Sequence, residues 1–374
     1  MDQTLKWKDF PMPQNDLYDK LADLFNQIGF GSRKSPELIN LLKSLFNEQE
    51  AQIALNLSPF APEPPVKVAE RLGKDPDGIA ETLDCMADKG LIYASKKGDE
   101  NWFKTIQLVP GIFELQFMKG EVTDRAIELA KLFDAYAHAG AREQSQQPVP
   151  PSDKLPVNFA RVIPIEKSVS SDTTVFPYEE IAKYIDAAKD ITVSVCYCRH
   201  EKRLLDKGCN FPDDVCLQLG SFSRFVEERG FGRRISKEEA HEIIKKSADA
   251  GLIHTASNTM DGIDFICNCC TCCCGILRGV SQFNLPVRTV SSNYEVKIDG
   301  ELCSACGECV TKCQMAAVSL ENESPEINLE RCIGCGVCVH HCPTGALTLA
   351  PRMDFIKPPA NFRELVQKQA DSRK

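Results

Sequence analysis

The chain has 374 residues, of which 43% are hydrophobic, and it carries a formal net charge of −9 at pH 7. This length predicts about two or three domains, and the hydrophobic fraction is sufficient for folded cores. The negative charge disfavours nucleic acid and anionic lipid surfaces as partners.

The N-terminal stretch MDQTLKWKDFPMPQ has no apolar core of the kind found in signal peptides, and no apolar run approaches about 18 residues. We therefore expect neither a signal peptide nor a membrane span. The 19 cysteines then favour bound metal over a disulfide framework. Together these features predict an anoxic or reducing cytoplasm as the compartment.

Residues 1–140 are predicted to form a helical domain that contains a β hairpin. Apolar side chains at helical spacing predict a helix over residues 15–28, and Ser35-Pro36 begins a second one. Residues 66–73 and 77–89 give two further helical patterns. The segment LIYAS…NWFKTIQL then predicts a strand, a polar turn and a strand.

Helices followed by a β hairpin resemble the winged-helix family, which implies DNA binding with residues 77–89 as recognition helix. The charge from Asp75 to Lys89 opposes this function: the acids are Asp75, Asp77, Glu81, Asp84 and Asp88, and the one basic residue is Lys89. Acids beside phosphates are repelled. We therefore favour a protein-docking or structural role, with Cys85 as a small core residue. A redox-sensing transcription regulator stays as an alternative.

Residues 121–139 predict another amphipathic helix, and the Gln-, Pro- and Ser-rich residues 141–156 predict a linker. A cysteine-rich metal-binding domain then covers residues 157–290. Its first elements are a helix from Tyr178 to Asp190 and a strand, ITVSVCYC, with Cys196 and Cys198 on one face. Arg199 follows directly, and positive charge favours the thiolate form of cysteine.

Later in this domain, Ser236 and Glu239 predict a capping box, and Asp261-Gly262 a hairpin turn. The run FICNCCTCCCGIL follows the hairpin. The domain contains ten cysteines: Cys196, Cys198, Cys209, Cys216, Cys267, Cys269, Cys270, Cys272, Cys273 and Cys274. We expect at least one iron–sulfur cluster that bridges the first pair and the final run. A zinc–thiolate cluster and buried structural thiols are the alternatives.

Cys273-Cys274-Gly275 also resembles the CCG signature of heterodisulfide-reductase-type subunits, which bind noncubane clusters and reduce disulfides. That family uses two such motifs with a following C-x-x-C, whereas one motif is present here. The resemblance implies, as a second hypothesis, a redox enzyme with its catalytic cluster in this domain.

Residues 291–350 contain one cysteine pattern twice. Cys303, Cys306, Cys309 and Cys313 have the spacing C-x-x-C-x-x-C-x-x-x-C, and Cys332, Cys335, Cys338 and Cys342 repeat it before Pro343. Soft thiolates at this spacing select iron–sulfur clusters or zinc. The repeat extends further, since LCSACGECVTKCQMAAVSL aligns with RCIGCGVCVHHCPTGALTL and each half has a strand pattern before and after its loop. A structural zinc site is the alternative.

This pattern resembles the bacterial two-cluster [4Fe-4S] ferredoxin family, in which the fourth cysteine of each run binds the other cluster. The resemblance implies one cluster on Cys303, Cys306, Cys309 and Cys342. It implies a second cluster on Cys332, Cys335, Cys338 and Cys313. Gly307 and Gly336 are expected to let backbone N–H groups approach the clusters. Gln314 departs from the family, which usually has proline there.

The sequence thus predicts an α+β multidomain protein that transfers electrons, with residues 351–374 as a tail that contains a short helix. The ferredoxin-like part has eight acids against three basic residues, which predicts a redox partner with a basic docking patch. The acids are Glu295, Asp299, Glu301, Glu308, Glu321, Glu323, Glu326 and Glu330.

Overall fold

A computed structural model describes residues 16–145, 157–165, 168, 179–283, 285–321 and 324–372. The chain divides into two compact units, one up to Ile112 and the other from Phe113 onwards. Helices and several small antiparallel sheets are present, which confirms the α+β class. Among the described residues, none of the helices combines the length and apolar character needed to cross a membrane.

Among its described residues, the first unit contains five α-helices followed by a hairpin, and the sequence predicts four of these helices. The helices are α1 (Leu17–Gln27), α2 (Pro36–Leu45), α3 (Glu48–Leu55), α4 (Pro65–Leu72) and α5 (Pro76–Asp88). Antiparallel β1 (Ile92–Lys97) and β2 (Glu100–Thr105) follow. Helix α3 is missing from the sequence prediction, although Asn47 and Glu50 form a capping box at its start.

Cys85 on α5 is exposed, so its prediction as a core residue is wrong. The buried face of this helix carries Ile79, Leu83, Met86 and Ala87, and Cys85 lies outside that face. Its thiol is available as a surface reference for labelling or substitution.

The second unit begins with α6 (Phe113–Phe117) and α7 (Asp124–Ser145). Phe113 packs against Phe133 of α7 at 4.9 Å and against Tyr197 at 5.7 Å between ring centroids. Helix α7 includes residues 141–145, the first part of the predicted linker. Residues 146–156, the rest of that linker, lie outside the described residues. The domain boundary placed there stays a prediction.

A six-stranded antiparallel sheet forms the centre of this unit, in the order β3-β7-β8-β5-β4-β6. Its strands are β3 (Ala160–Val162), β4 (Ile191–Val195), β5 (Asp214–Leu219), β6 (Arg233–Arg234), β7 (Ile253–Ser257) and β8 (Phe265–Cys269). The helices between and after them are α8 (Ile181–Ala187), α9 (Tyr197–Leu204), α10 (Gly220–Glu228), α11 (Lys237–Asp249) and α12 (Gly275–Ser281). The predicted hairpin at Asp261-Gly262 joins β7 and β8 and is confirmed.

The predicted strand ITVSVCYC ends earlier than expected. β4 stops at Val195, the register of its pairing with β5 shifts there, and α9 begins at Tyr197. The backbone N–H of His200 donates to the carbonyl of Cys196, which closes the first helical turn. Cys198 therefore lies in a helix, and the prediction that it shares a strand face with Cys196 is wrong.

Side chains of this sheet alternate between two buried clusters on its opposite faces. Cys216 of β5 and Cys267 and Cys269 of β8 belong to one cluster. Their strand neighbours Leu217 and Ile266 belong to the other, as does Cys270 directly after β8. Because of this alternation, Cys216, Cys267 and Cys269 lie on one side of the sheet and Cys270 lies on the other.

The ferredoxin-like part consists of two β-helix-β halves whose strands are exchanged. The strands are β9 (Tyr294–Ile298), β10 (Val318–Glu321), β11 (Ser324–Ile327) and β12 (Leu347–Pro351), with α13 (Glu308–Lys312) and α14 (Val337–His340) between them. β9 pairs with β12, and β10 pairs with β11, both antiparallel. The first strand of one half thus lies beside the last strand of the other. The tail contains α15 (Phe362–Ser372).

Candidate metal centres

The strand exchange carries the fourth cysteine of each run to the other loop. Cys342 lies shortly before β12, which pairs with β9, the strand that leads into the first loop. As a result, Cys303, Cys306, Cys309 and Cys342 line one recess. We call these four residues the outer quartet. Cys306 is exposed and the other three are half-buried.

Cys313 is left on the side of the second loop, together with Cys332, Cys335 and Cys338. We call these four residues the inner quartet. Cys332 and Cys338 are 7% and 6% exposed, so this set lies deeper than the outer quartet. Burial raises the pKa of Cys335 to about 12, and repulsion from Cys313 and Cys332 adds to that rise. Thiols in this environment ionise only if a positive ion compensates their charge.

Backbone N–H groups point at several of these sulfurs. Ala305 N–H donates to Cys303 Sγ at 3.4 Å, and Ala317 N–H donates to Cys313 Sγ at 3.3 Å. At Cys342, burial raises the pKa, but hydrogen bonds from the Thr344 side chain and the following backbone lower it overall. Soft sulfur donors that accept N–H bonds fit an iron–sulfur cluster, whose potential such bonds tune.

The two loops share an unusual backbone. Three pairs of equivalent residues have positive φ, the left-handed region that favours glycine: Ala305 and Gly334, Gly307 and Gly336, Ala316 and Gly345. The repeat seen in the sequence therefore extends to the backbone conformation. This conformation supports the expected role of Gly307 and Gly336 at the start of α13 and α14, which stays a prediction.

The surroundings of the equivalent positions differ. A Cβ built on Gly334 would lie 2.1 Å from the carbonyl oxygen of Tyr294, and one built on Gly336 would lie 2.8 Å from Cβ of Ser168. A Cβ on Gly307 meets nothing within 4 Å. The inner loop is thus packed against neighbouring segments where the outer loop is open.

Five cysteines of the cysteine-rich part, residues 157–290, form a further set, which we call the buried thiol group: Cys198, Cys216, Cys267, Cys269 and Cys274. Cys216 and Cys267 lie 3.7 Å apart at Sγ. Hydrogen bonds from Cys198 and Cys269 hold the pKa of Cys274 well below its usual range, with help from backbone N–H groups of α12. The same contact with Cys274, together with burial, raises the pKa of Cys198.

Four of the five remaining thiols of the cysteine-rich part form the tight quartet: Cys209, Cys270, Cys272 and Cys273. Their sulfur atoms all lie within 4.8 Å of one another. Cys196 lies near both middle-region sets, and burial raises its pKa to about 11. The sequence predicts a cluster that bridges Cys196 and Cys198 with the run from Cys267 to Cys274. One contact between these two segments is present, that of Cys198 with Cys274. The other cysteines of the run divide between two sets.

Several contacts connect the inner quartet to the cysteine-rich part. Gln314, the residue that departs from the ferredoxin family, accepts a hydrogen bond from Thr271 N–H at 3.0 Å and donates to the carbonyl of Gly251. His340 of α14 contacts Asp249 of α11 at 2.8 Å. Inner-quartet residues and members of the buried thiol group also share one hydrophobic core. The sequence alone does not reveal this role of Gln314.

Comparison with known proteins gives one match. Residues 325–348 match the family model described as a 4Fe-4S binding domain. A search of curated proteins and a search of solved structures each returned no significant match. The matched segment contains Cys332, Cys335, Cys338 and Cys342. Together with the cysteine sets, it indicates an iron–sulfur protein with at least one [4Fe-4S] cluster.

Proposed function

We propose that this protein is an electron carrier or electron-transfer subunit with two [4Fe-4S] clusters in its ferredoxin-like part. The outer quartet holds one cluster and the inner quartet the other. When bound, such clusters accept and release single electrons. The chain supplies the sulfur ligands and the N–H groups that donate to them. It also buries the inner site more deeply than the outer one.

The observation that carries this proposal is the order of the cysteine sets from surface to interior. The outer quartet includes the exposed Cys306, whereas two members of the inner quartet, Cys332 and Cys338, are buried and the other two are half-buried. Four members of the buried thiol group share a hydrophobic core with the inner quartet. A protein that exchanges electrons with a partner and passes them inwards needs one accessible site and a continuous series of sites behind it.

The buried thiol group is the best position for the additional cluster in the cysteine-rich part. It offers five sulfurs, and four of them come from residues that are at most 8% exposed: Cys216, Cys267, Cys269 and Cys274. Tyr197 adds a hydroxyl 3.7 Å from Cys267 Sγ. Such burial favours a cluster that only accepts electrons and passes them on, without binding a substrate. A catalytic cluster that binds a disulfide needs access for its substrate, so the enzyme alternative has less support.

The proposed partner is a protein with a basic patch, because the exposed surface of the ferredoxin-like part is rich in acids. Exposed acids of the ferredoxin-like part are Asp299, Glu301, Glu308, Glu321, Glu326 and Glu330. Glu308 lines the same recess as the outer quartet. Glu323 lies outside the described residues. A positive partner surface would be steered towards this recess.

Anaerobic purification followed by iron and sulfide analysis tests the proposal. Two cubanes correspond to about eight irons per chain, and a cluster on the buried thiol group raises this to about twelve. EPR of the reduced protein is expected to show paramagnetic clusters that interact magnetically. Colourless protein, or protein that contains zinc alone, would refute the electron-transfer function.

A further inference from the structure

The tight quartet differs in kind from the other cysteine sets. We propose that Cys209, Cys270, Cys272 and Cys273 bind one tetrahedrally coordinated metal ion, zinc or ferrous iron, and no part of a polynuclear cluster. This site is separate from the quartets of the ferredoxin-like part, so the inference does not depend on the proposed function.

Distances between sulfur atoms give the first argument. Cys209 Sγ lies 3.8 Å from Cys270 Sγ and 3.7 Å from Cys273 Sγ, and Cys272 and Cys273 lie 3.8 Å apart. A tetrahedral ion with metal–sulfur bonds of about 2.3 Å holds its sulfur ligands about 3.8 Å from one another. These three separations match edges of a mononuclear tetrathiolate site, and the other sulfur pairs of the quartet lie within 4.8 Å.

The other cysteines give the second argument. Within the part of the chain that the structure describes, the tight quartet is the one set of three or more potential metal ligands that all lie within 4.8 Å of each other. The outer and inner quartets, whose loops follow the iron–sulfur pattern, are more widely spread. A cubane places each thiolate on a different iron and so separates them further than a single ion does.

Electrostatics give the third argument. The sulfur atoms of Cys209, Cys270, Cys272 and Cys273 all lie within 4.8 Å of one another. Four thiols this close cannot all ionise without a cation among them. A divalent ion removes this conflict, and thiolates are the ligands that zinc prefers in structural sites.

Arg199 compensates part of the remaining charge. A divalent ion with four thiolates carries two net negative charges, and the guanidinium Nη1 of Arg199 lies 3.6 Å from Cys270 Sγ. This side chain is fully buried and is held by two bonds of 3.1 Å to the carbonyl of Asn268. A buried arginine fixed in this way beside a sulfur ligand is the outer-shell partner that thiolate sites require.

The arrangement assigns the ion a structural task. Cys209 lies in the irregular segment between α9 and β5, and the other three ligands lie in the turn between β8 and α12. One ion would therefore tie two segments that are distant in sequence. All four ligands come from this chain, which leaves no open position for a substrate. The same turn carries Cys269 and Cys274 into the buried thiol group.

The experiment uses the full-length protein, purified anaerobically, with zinc and iron counted per chain. If zinc is bound, X-ray absorption at the zinc edge is expected to show four sulfurs at about 2.3 Å and no neighbouring metal. If iron occupies the site, Mössbauer spectra of iron-57 protein are expected to contain a mononuclear ferrous tetrathiolate component. Absence of zinc with all iron in polynuclear clusters overturns the proposal, as does zinc bound by nitrogen or oxygen.

Variants test the ligand assignment. Cys272→Ala changes an exposed ligand, so packing is little affected, and it is expected to remove the single ion while the cluster iron stays constant. Cys209→Ala provides a second variant with the same expected loss. Cys85→Ala, which changes an exposed thiol of the first unit, is the matched control. A Cys272→Ala protein that keeps an ion with four sulfur ligands refutes the assignment.

Cys306→Ala separates this inference from the proposed function. It is expected to remove iron from the outer quartet and to leave the single ion in place. Loss of cluster iron in Cys306→Ala together with an unchanged metal content in Cys272→Ala would leave the electron-transfer proposal standing and reject the mononuclear site.

Discussion

The outer and inner quartets have the same cysteine spacing and matching backbone turns, yet they lie in different surroundings. Cys306 of the outer quartet is exposed, whereas Cys332 and Cys338 of the inner quartet are almost fully buried. Gly307 faces open space, and its counterpart Gly336 packs against Ser168. One duplicated motif has therefore produced a site that faces solvent and a site that is joined to the cysteine-rich part. In the electron path we propose, this difference in exposure makes the outer quartet the point of entry and the inner quartet the next site.

Removal of one ligand from each quartet is expected to give the largest effect. Cys306→Ala and Cys338→Ala should each lower the iron content by up to about four per chain. Only Cys338→Ala should also lower the denaturant midpoint strongly, since it leaves unpaired buried thiols and a gap in the core shared with the buried thiol group. Iron analysis and unfolding followed by visible absorbance and circular dichroism measure both effects. Equal destabilisation by the two variants would contradict the comparison.

The equivalent glycines allow a sharper test. Gly307→Ala and Gly336→Ala both force alanine into a left-handed backbone, with φ of 74° and 79°, at a cost of about 1 to 2 kcal/mol. Gly336→Ala should cost about 1 to 3 kcal/mol more, because its Cβ overlaps Ser168.

A double variant isolates this overlap. Ser168→Gly is expected to recover part of the loss in Gly336→Ala and to have no such effect on Gly307→Ala. The hydroxyl of Ser168 donates to the carbonyl of Gly336 at 3.0 Å, so Ser168→Gly alone supplies the reference for the lost bond. Denaturant midpoints of the wild type, the three single variants and the two double variants measure these effects. If the stability losses of Ser168→Gly and Gly336→Ala simply add in the double variant, the overlap is relieved in another way.

Gln314→Pro restores the residue usual in the ferredoxin family and should weaken the connection of the inner loop to the cysteine-rich part. It removes the acceptor for Thr271 N–H and the donor to Gly251. We expect a loss of about 1 to 3 kcal/mol with an unchanged iron content. Hydrogen exchange at the Thr271 amide is the direct measurement, and faster exchange is expected.

Gln314→Glu is the matched variant, because it retains an acceptor for Thr271 and loses the donor to Gly251. Its Thr271 amide should stay protected relative to that of Gln314→Pro. If both variants leave exchange at Thr271 unchanged, Gln314 does not join the two parts.

Local signals predicted most elements of the fold. Ser35 and Pro36 begin α2 as expected, and Asp261-Gly262 forms the β7–β8 turn. The positions of Cys85 and Cys198 were wrong, because one depends on which helix face is buried and the other on a helix that starts where β4 loses its pairing. Tertiary packing decides both, and local periodicity does not report it.

The sequence predicts only in part how the ten cysteines of the cysteine-rich part divide into sets. Cys267 and Cys269 are two residues apart on a strand, so the sequence places them on one face, and Cys270 falls on the other. That Cys209 joins Cys270 follows from an irregular segment before β5 and has no sequence signal. In contrast, the division of the last eight cysteines follows from the resemblance, and the strand exchange gives its physical reason.

The smallest expected effect concerns the acidic surface beside the outer quartet. Glu308→Lys places a positive charge in the recess that these cysteines line. Electron exchange with a small dicationic viologen should slow about two- to fivefold at low salt, because attraction is reduced, and the difference should vanish at high salt. Glu81→Lys makes the same change of net charge on α5 of the first unit, at an exposed position. Stopped-flow rates compare the two variants. An equal slowing in both would mean that total charge, and not the surface at the outer quartet, governs the encounter, and the outer quartet would lose its assignment as the point of entry.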